Sequence, residues 1–165
     1  MRKTAAVTVL LALALVSHGC GVKSPNERTG EEAVVVGVGE PARDGRFRMT
    51  VKEAKCGAKK VGAAARRALG KFCLVTVDVK NVGSDPGTFL PDSQRAYSAE
   101  GVEFLTDPAA VFSANENNIH TLLNEIDPGD QMTSVLIFDV PQGTWLTKVH
   151  LHDSHGSVGI VVSLA

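Results

Sequence analysis

The sequence predicts an all-β domain: an antiparallel β-sandwich of about seven strands, carried behind an export signal. Three observations predict it. Short runs of apolar residues alternate with polar ones, the period of half-buried strands. Gly, Pro, Asp and Asn clusters separate the runs. No repeat of 20 to 50 residues is visible, which argues against a solenoid or propeller.

The N-terminal segment stands apart from the domain. Arg2 and Lys3 precede an apolar stretch, Ala5 to Val16, interrupted only by Thr8. A spanning helix needs about 20 apolar residues, so this stretch reads as a secretory signal over residues 1–19. Cys20 follows Gly19 and resembles the lipobox of bacterial lipoproteins, in which the Cys thiol is diacylated and becomes the new N-terminus. Ser17 and His18 stand where that motif prefers Leu and a small residue, and Ser17-His18-Gly19 also suits an ordinary signal peptidase. Residues 20–32, with the polar run GVKSPNERTGEEA, read as a flexible tether.

Residues 33–165 are long enough for one domain with a core. Within them Val34 to Val38 is a first strand. RFRMTVKEA (46–54) sets Phe47, Met49 and Val51 against Arg46, Arg48, Thr50 and Lys52. FCLVTVDVKNVG (72–83) sets Val75, Val77 and Val79 against Thr76, Asp78 and Lys80, then stops at Asp85-Pro-Gly87. MTSVLIFDVP (132–141) ends at Pro141. WLTKVHLHD (145–153) places Trp145, Thr147, Val149 and Leu151 on one face, and VGIVVSL (158–164) closes the chain. Two segments fall outside the pattern. GAKKVGAAARRALGK (57–71) reads as a loop or short helix, and residues 108–130 as an excursion with a helical turn before Asp127-Pro-Gly129.

Cysteine arithmetic favours acylation of Cys20, because an odd cysteine in an exported protein must be free, intermolecular or modified. The chain has three cysteines. Acylating Cys20 leaves Cys56 and Cys73 to form a disulfide, closing a loop worth roughly 3 kcal/mol in the chain-entropy model. The alternative, a two-Cys metal site, would need further ligands nearby, and none lies between them.

In order along the chain, VKEAKCGAKKVG, GKFCLVTVDVKNVGSDPGTF, the DPG turn, VLIFDVPQGT and VHLHDS resemble a family of bacterial surface lipoproteins. It is the telokin-like, immunoglobulin-like domain family of unknown function, and Leu151-His-Asp-Ser154 resembles its members from high-GC Gram-positive bacteria. The resemblance spans residues 33 to 165. It implies an immunoglobulin-like sandwich on the outer face of a cell membrane, with relatives that include secreted mycobacterial antigens. It implies no reaction, catalytic residues or cofactor.

The residues themselves offer several candidate sites. KVHLHDSHG (148–156) holds three of the five histidines. On a strand His150 and His152 share a face, their Cβ atoms roughly 6 to 7 Å apart. His155 could swing back as a third ligand for Zn²⁺ or Cu²⁺. This makes an extracytoplasmic metal-binding protein the alternative to a binding or structural surface module. The bland reading leaves the histidines as the outward side of an ordinary strand. Lys59, Lys60, Arg66, Arg67 and Lys71 lie between the two cysteines with no acid among them, which suits an anionic lipid or phosphate-rich polymer; the competing reading is a solubilising loop. NENNIH (115–120) could lend oxygens to Ca²⁺ but lacks the alternating spacing of a calcium loop.

Other classes are excluded by pattern. There is no Gly-x-Ser-x-Gly elbow, and adjacent Ser, His and Asp in HDSHG point to opposite faces of a strand. Neither phosphate-loop nor dinucleotide motifs occur. Residues 1–19 carry two bases and no acid, so the rest of the chain holds 15 bases and 18 acids, net −3. That balance does not point to nucleic acid.

Overall fold

The computed structural model describes residues 32–118 and 122–164. The signal segment, Cys20 and the tether up to residue 31 lie outside them. The described residues form one compact unit by their own contacts.

Two sheets face each other as a β-sandwich. In chain order the strands are β1 (Val34–Gly37), β2 (Ala42–Asp44), β3 (Phe47–Val61), β4 (Arg66–Asn81), β5 (Arg95–Ser98), β6 (Glu103–Leu105), β7 (Gln131–Val140), β8 (Leu146–Leu151) and β9 (Ile160–Ser163). One sheet has the order β1-β9-β8-β5-β6 and the other β2-β3-β4-β7. Neighbours are antiparallel except β1 and β9, the first and last strands, which pair in parallel. A parallel pair needs a long crossover, and here the rest of the domain supplies it.

The alternation read from the sequence faces the core. Phe47, Met49 and Val51 of β3, Val75, Val77 and Val79 of β4, Leu136 and Phe138 of β7, Val149 and Leu151 of β8, and Ile160 and Val162 of β9 are all buried between the sheets. At about 25 cal/mol per Å² of apolar surface removed from water, this layer is the main stabilising contribution to the fold. Trp145 is the exception. It precedes β8 and is 62 % exposed, while Leu146 is buried.

Segment 57–71 is neither loop nor helix. β3 and β4 run on past Cys56 and Cys73 as a hairpin arm, with Lys60 opposite Arg67 and Val61 opposite Arg66. Gly62 and Ala65, both at positive φ, make the turn. The strand period is hidden here for two reasons. Much of the arm has no buried face, and register shifts between Val51 and Lys60 break the two-residue repeat.

The excursion from residue 108 does contain a helix, α1 (Pro108–Ala114), followed by a 3₁₀ turn at Glu116–Asn118. Asp107 caps α1, its Oδ1 accepting the Ala110 N–H at 3.0 Å, and Pro108 occupies the first helical position where no N–H is needed. The tip of the arm rests against this helix: Ala63 N–H donates to Glu116 Oε1 at 3.1 Å.

Candidate functional site

Cys56 and Cys73 sit directly opposite each other on β3 and β4 and form a disulfide. The bond ties the base of the arm, and its sulfurs take no part in a metal site.

The histidines do not converge. His150 and His152 share a face, as alternation requires, with ring centroids 6.4 Å apart. His150 leans over Tyr97, centroids 4.6 Å apart, and its Nε2 is buried without a hydrogen-bond partner. Burial, and then the neighbouring Lys148 and His152, hold its imidazole below the usual histidine range. His152 Nδ1 faces the Ser157 carbonyl at 3.2 Å. His155 turns away from the pair and meets Ser93 Oγ through Nδ1 at 3.1 Å. Among the described residues no group of three or more His, Cys, Asp or Glu side chains is placed to hold a metal. His155 does not swing back as the alternative metal reading would need, because its ring is engaged by Ser93 of the Pro91–Ser93 segment instead.

The NENNIH segment is also redirected. Asn115 is buried and spends its amide on the backbone of Val111 and Val135, and Glu116 faces the arm. His120 lies outside the described residues.

The five cations separate. Arg66 pairs with Asp107 at 3.2 Å. Lys59 Nζ donates to the Gly70 carbonyl at 3.2 Å. Lys71 is only 6 % exposed, its ammonium 3.7 Å from the centroid of Trp145. Lys60 and Arg67 remain exposed, opposite each other.

One concave site was not anticipated. A cleft of about 390 Å³ opens between the Thr88–Asp92 segment, α1 and Leu122–Leu123. Phe89 forms the inner wall and packs edge-on against Phe47 in the core, centroids 6.4 Å apart. Thr106 Oγ1 donates to the Pro91 carbonyl at 3.1 Å, joining the two sides. Buried Gln94 fixes the same wall from behind: its Nε2 donates to the carbonyls of Leu90 (2.8 Å) and His152 (3.1 Å), and its Oε1 accepts the His152 N–H at 2.7 Å. Val111 lines the floor, while Phe112 and Leu123 stand half-exposed at the mouth. The polar side chains in the lining are Thr88, Thr106 and Asp92. Such a cleft can desolvate an apolar group and orient it through a few polar contacts. The signal that could have pointed to it was the run of apolar residues (Val111, Phe112, Leu122 and Leu123) in a segment with no strand period.

Residues 36–159 match the family described as Domain of unknown function (DUF4352). The chain belongs to that family. No curated protein matches it. Three solved structures resemble this DUF4352 domain. The yjhA protein from Bacillus subtilis is 16% identical with a TM-score of 0.58, covering 79% of this chain and 99% of that one. The secreted protein MPT63 from Mycobacterium tuberculosis is 14% identical with a TM-score of 0.57, covering 81% and 98%. An uncharacterized beta-sandwich protein from Clostridium difficile 630 is 12% identical with a TM-score of 0.50, covering 81% and 95%. At these identities the likeness is one of fold, and it places the DUF4352 domain among β-sandwiches. Fold alone assigns no activity.

Proposed function

We propose that this domain is an exported immunoglobulin-like binding module, tethered through Cys20 to the outer face of a cell membrane, that holds a small apolar ligand in the cleft beside α1. The cleft carries the reading. Its volume of about 390 Å³ falls within the range of about 300–1,000 Å³ common for small-molecule sites. Its walls are apolar, and Gln94 and Thr106 hold them in place without a ligand. Export is supported by the signal-like segment 1–19, by the disulfide, which belongs to oxidising compartments, and by the secreted MPT63 among its structural neighbours.

Titration of residues 31–165 with an anilinonaphthalene dye and with straight-chain fatty acids of increasing length tests the cleft. Saturable binding is expected, weakened at least tenfold by Phe112→Asp or Leu123→Asp, both at the exposed mouth. Binding that ignores both changes, or no binding, removes the reading. Intact-mass measurement of the membrane fraction tests the anchor: a diacylated Cys20 at the new N-terminus is expected, and an unmodified chain removes it.

A further inference from the structure

β4 runs on past the sandwich. Val79, Val77, Val75 and Cys73 of its core-facing row are buried. Past Cys73, across register shifts against β3, the strand carries Lys71, Leu69 and Arg67 onto the arm. Lys71 lies against Trp145, which comes from the other sheet, and this stack holds the indole in place while leaving it 62 % exposed. Farther out on the arm Leu69 is fully exposed. Arg67 follows, with Lys60 opposite. Lys59 reaches in to the Gly70 carbonyl. The carboxylate at the base of the arm, Asp139, is already engaged by the backbone N–H groups of Leu69 (2.6 Å) and Gly70 (3.0 Å). A bare leucine and a propped tryptophan thus stand among cations, in a stretch without one acidic residue (57–71) of a chain whose net charge is −1.

We propose that the arm docks on the surface of an anionic lipid bilayer. Leu69 enters the boundary between headgroups and acyl chains, Trp145 sits at the interface, and Lys60 and Arg67 face lipid phosphates. Tryptophan suits that position because one end of its ring is apolar and the other polar. Each cation near an anionic surface contributes about 1 kcal/mol. A soluble polyphosphate would use the cations equally well but has no apolar layer to receive Leu69, and this favours the bilayer. The inference is independent of the cleft and of acylation at Cys20.

Trp145 is the chain's one tryptophan and therefore a built-in reporter. Residues 31–165, which contain the whole core, are mixed with phosphatidylglycerol–phosphatidylcholine vesicles and with phosphatidylcholine alone. Co-sedimentation and a blue shift of Trp145 emission are expected with the anionic vesicles at low salt, fading as salt rises. Leu69→Ser should weaken binding about tenfold. Lys60→Glu and Arg67→Glu should each weaken it at least about fivefold, equivalent to about 1 kcal/mol. Leu105→Ser, at an exposed leucine elsewhere, should leave it unchanged. No blue shift at low salt overturns the proposal. So does binding unaffected by Leu69→Ser and competed away by polyphosphate, which would mark the arm as a polyanion site instead.

Discussion

Asn115 pairs with Val135 as a neighbouring strand would. Its Nδ2 donates to the Val135 carbonyl and its Oδ1 accepts the Val135 N–H, both at 2.9 Å; Nδ2 also donates to the Val111 carbonyl at 2.7 Å. β7 is an edge strand of its sheet, and an open edge presents unpaired backbone groups. One side chain closes a rung of that edge and fixes the end of α1 against it.

Asn115→Ala is therefore expected to cost about 2–4 kcal/mol, since three hydrogen bonds at about 1 kcal/mol each are lost and the Val135 N–H is left without its partner. Denaturant unfolding measures this. A midpoint close to that of the parent protein would show that water replaces the amide at no cost.

The disulfide spans a sequence separation of 17 residues. Cys56→Ala/Cys73→Ala should lose roughly 3 kcal/mol in the chain-entropy model, with the native fold retained. Circular dichroism reports the fold and unfolding with and without reductant reports the energy. Insensitivity of the parent protein to reductant would contradict the assignment.

Gln94→Leu keeps the volume of a fully buried side chain but removes one of the two donors to the Leu90 carbonyl and strands the carbonyl and N–H of His152. A loss of about 2–4 kcal/mol is expected. Because these bonds hold one wall of the cleft, dye affinity should fall in the still-folded variant. Unchanged affinity would show that the wall is held by Phe89 alone.

His150 gives the domain a pH dependence. Its folded-state pKa lies below the ordinary 6.5, burial being the first cause. The unfolded chain thus binds more protons in the window just below pH 6.5, so stability falls as pH drops through that window and levels off once both states are protonated. Asp153 acts oppositely at lower pH. Burial raises its pKa above 3.8 against the pull of Arg46, so its protonation favours the folded state there. The melting temperature should decline from pH 8 toward pH 5, and His150→Phe should flatten the decline. A variant as pH-sensitive as the parent would assign the effect elsewhere.

Most of the sandwich was legible because its strands are half-buried. Where one face meets the core and the other meets water, as in Val75 to Lys80, the two-residue period is written into composition. Strands β2 (ARD), β5 (RAYS) and β6 (EFL) escaped because they are short and, unlike the valine-rich β1 and β9, carry few apolar residues. The arm escaped because register shifts break its two-residue period and its apolar residues do not alternate with polar ones, so its strand character comes mainly from pairing. The histidine stretch shows the complementary limit. Alternation correctly put His150 and His152 on one side of β8, opposite Val149 and Leu151. Where His155 went depended on Ser93, 62 residues away.

By itself, then, the sequence determined the layered β architecture, the core rows and the pairing of Cys56 with Cys73. These follow from local periodicity, turn chemistry and the parity of cysteines expected if the chain is exported. Only the tertiary structure decided that α1 and Leu122–Leu123 wall a cleft beside Phe89, and that Trp145 closes over Lys71 while Leu69 stays bare. Those relationships join residues far apart in the chain, and they depend on where each sheet ends in space, which no local pattern encodes.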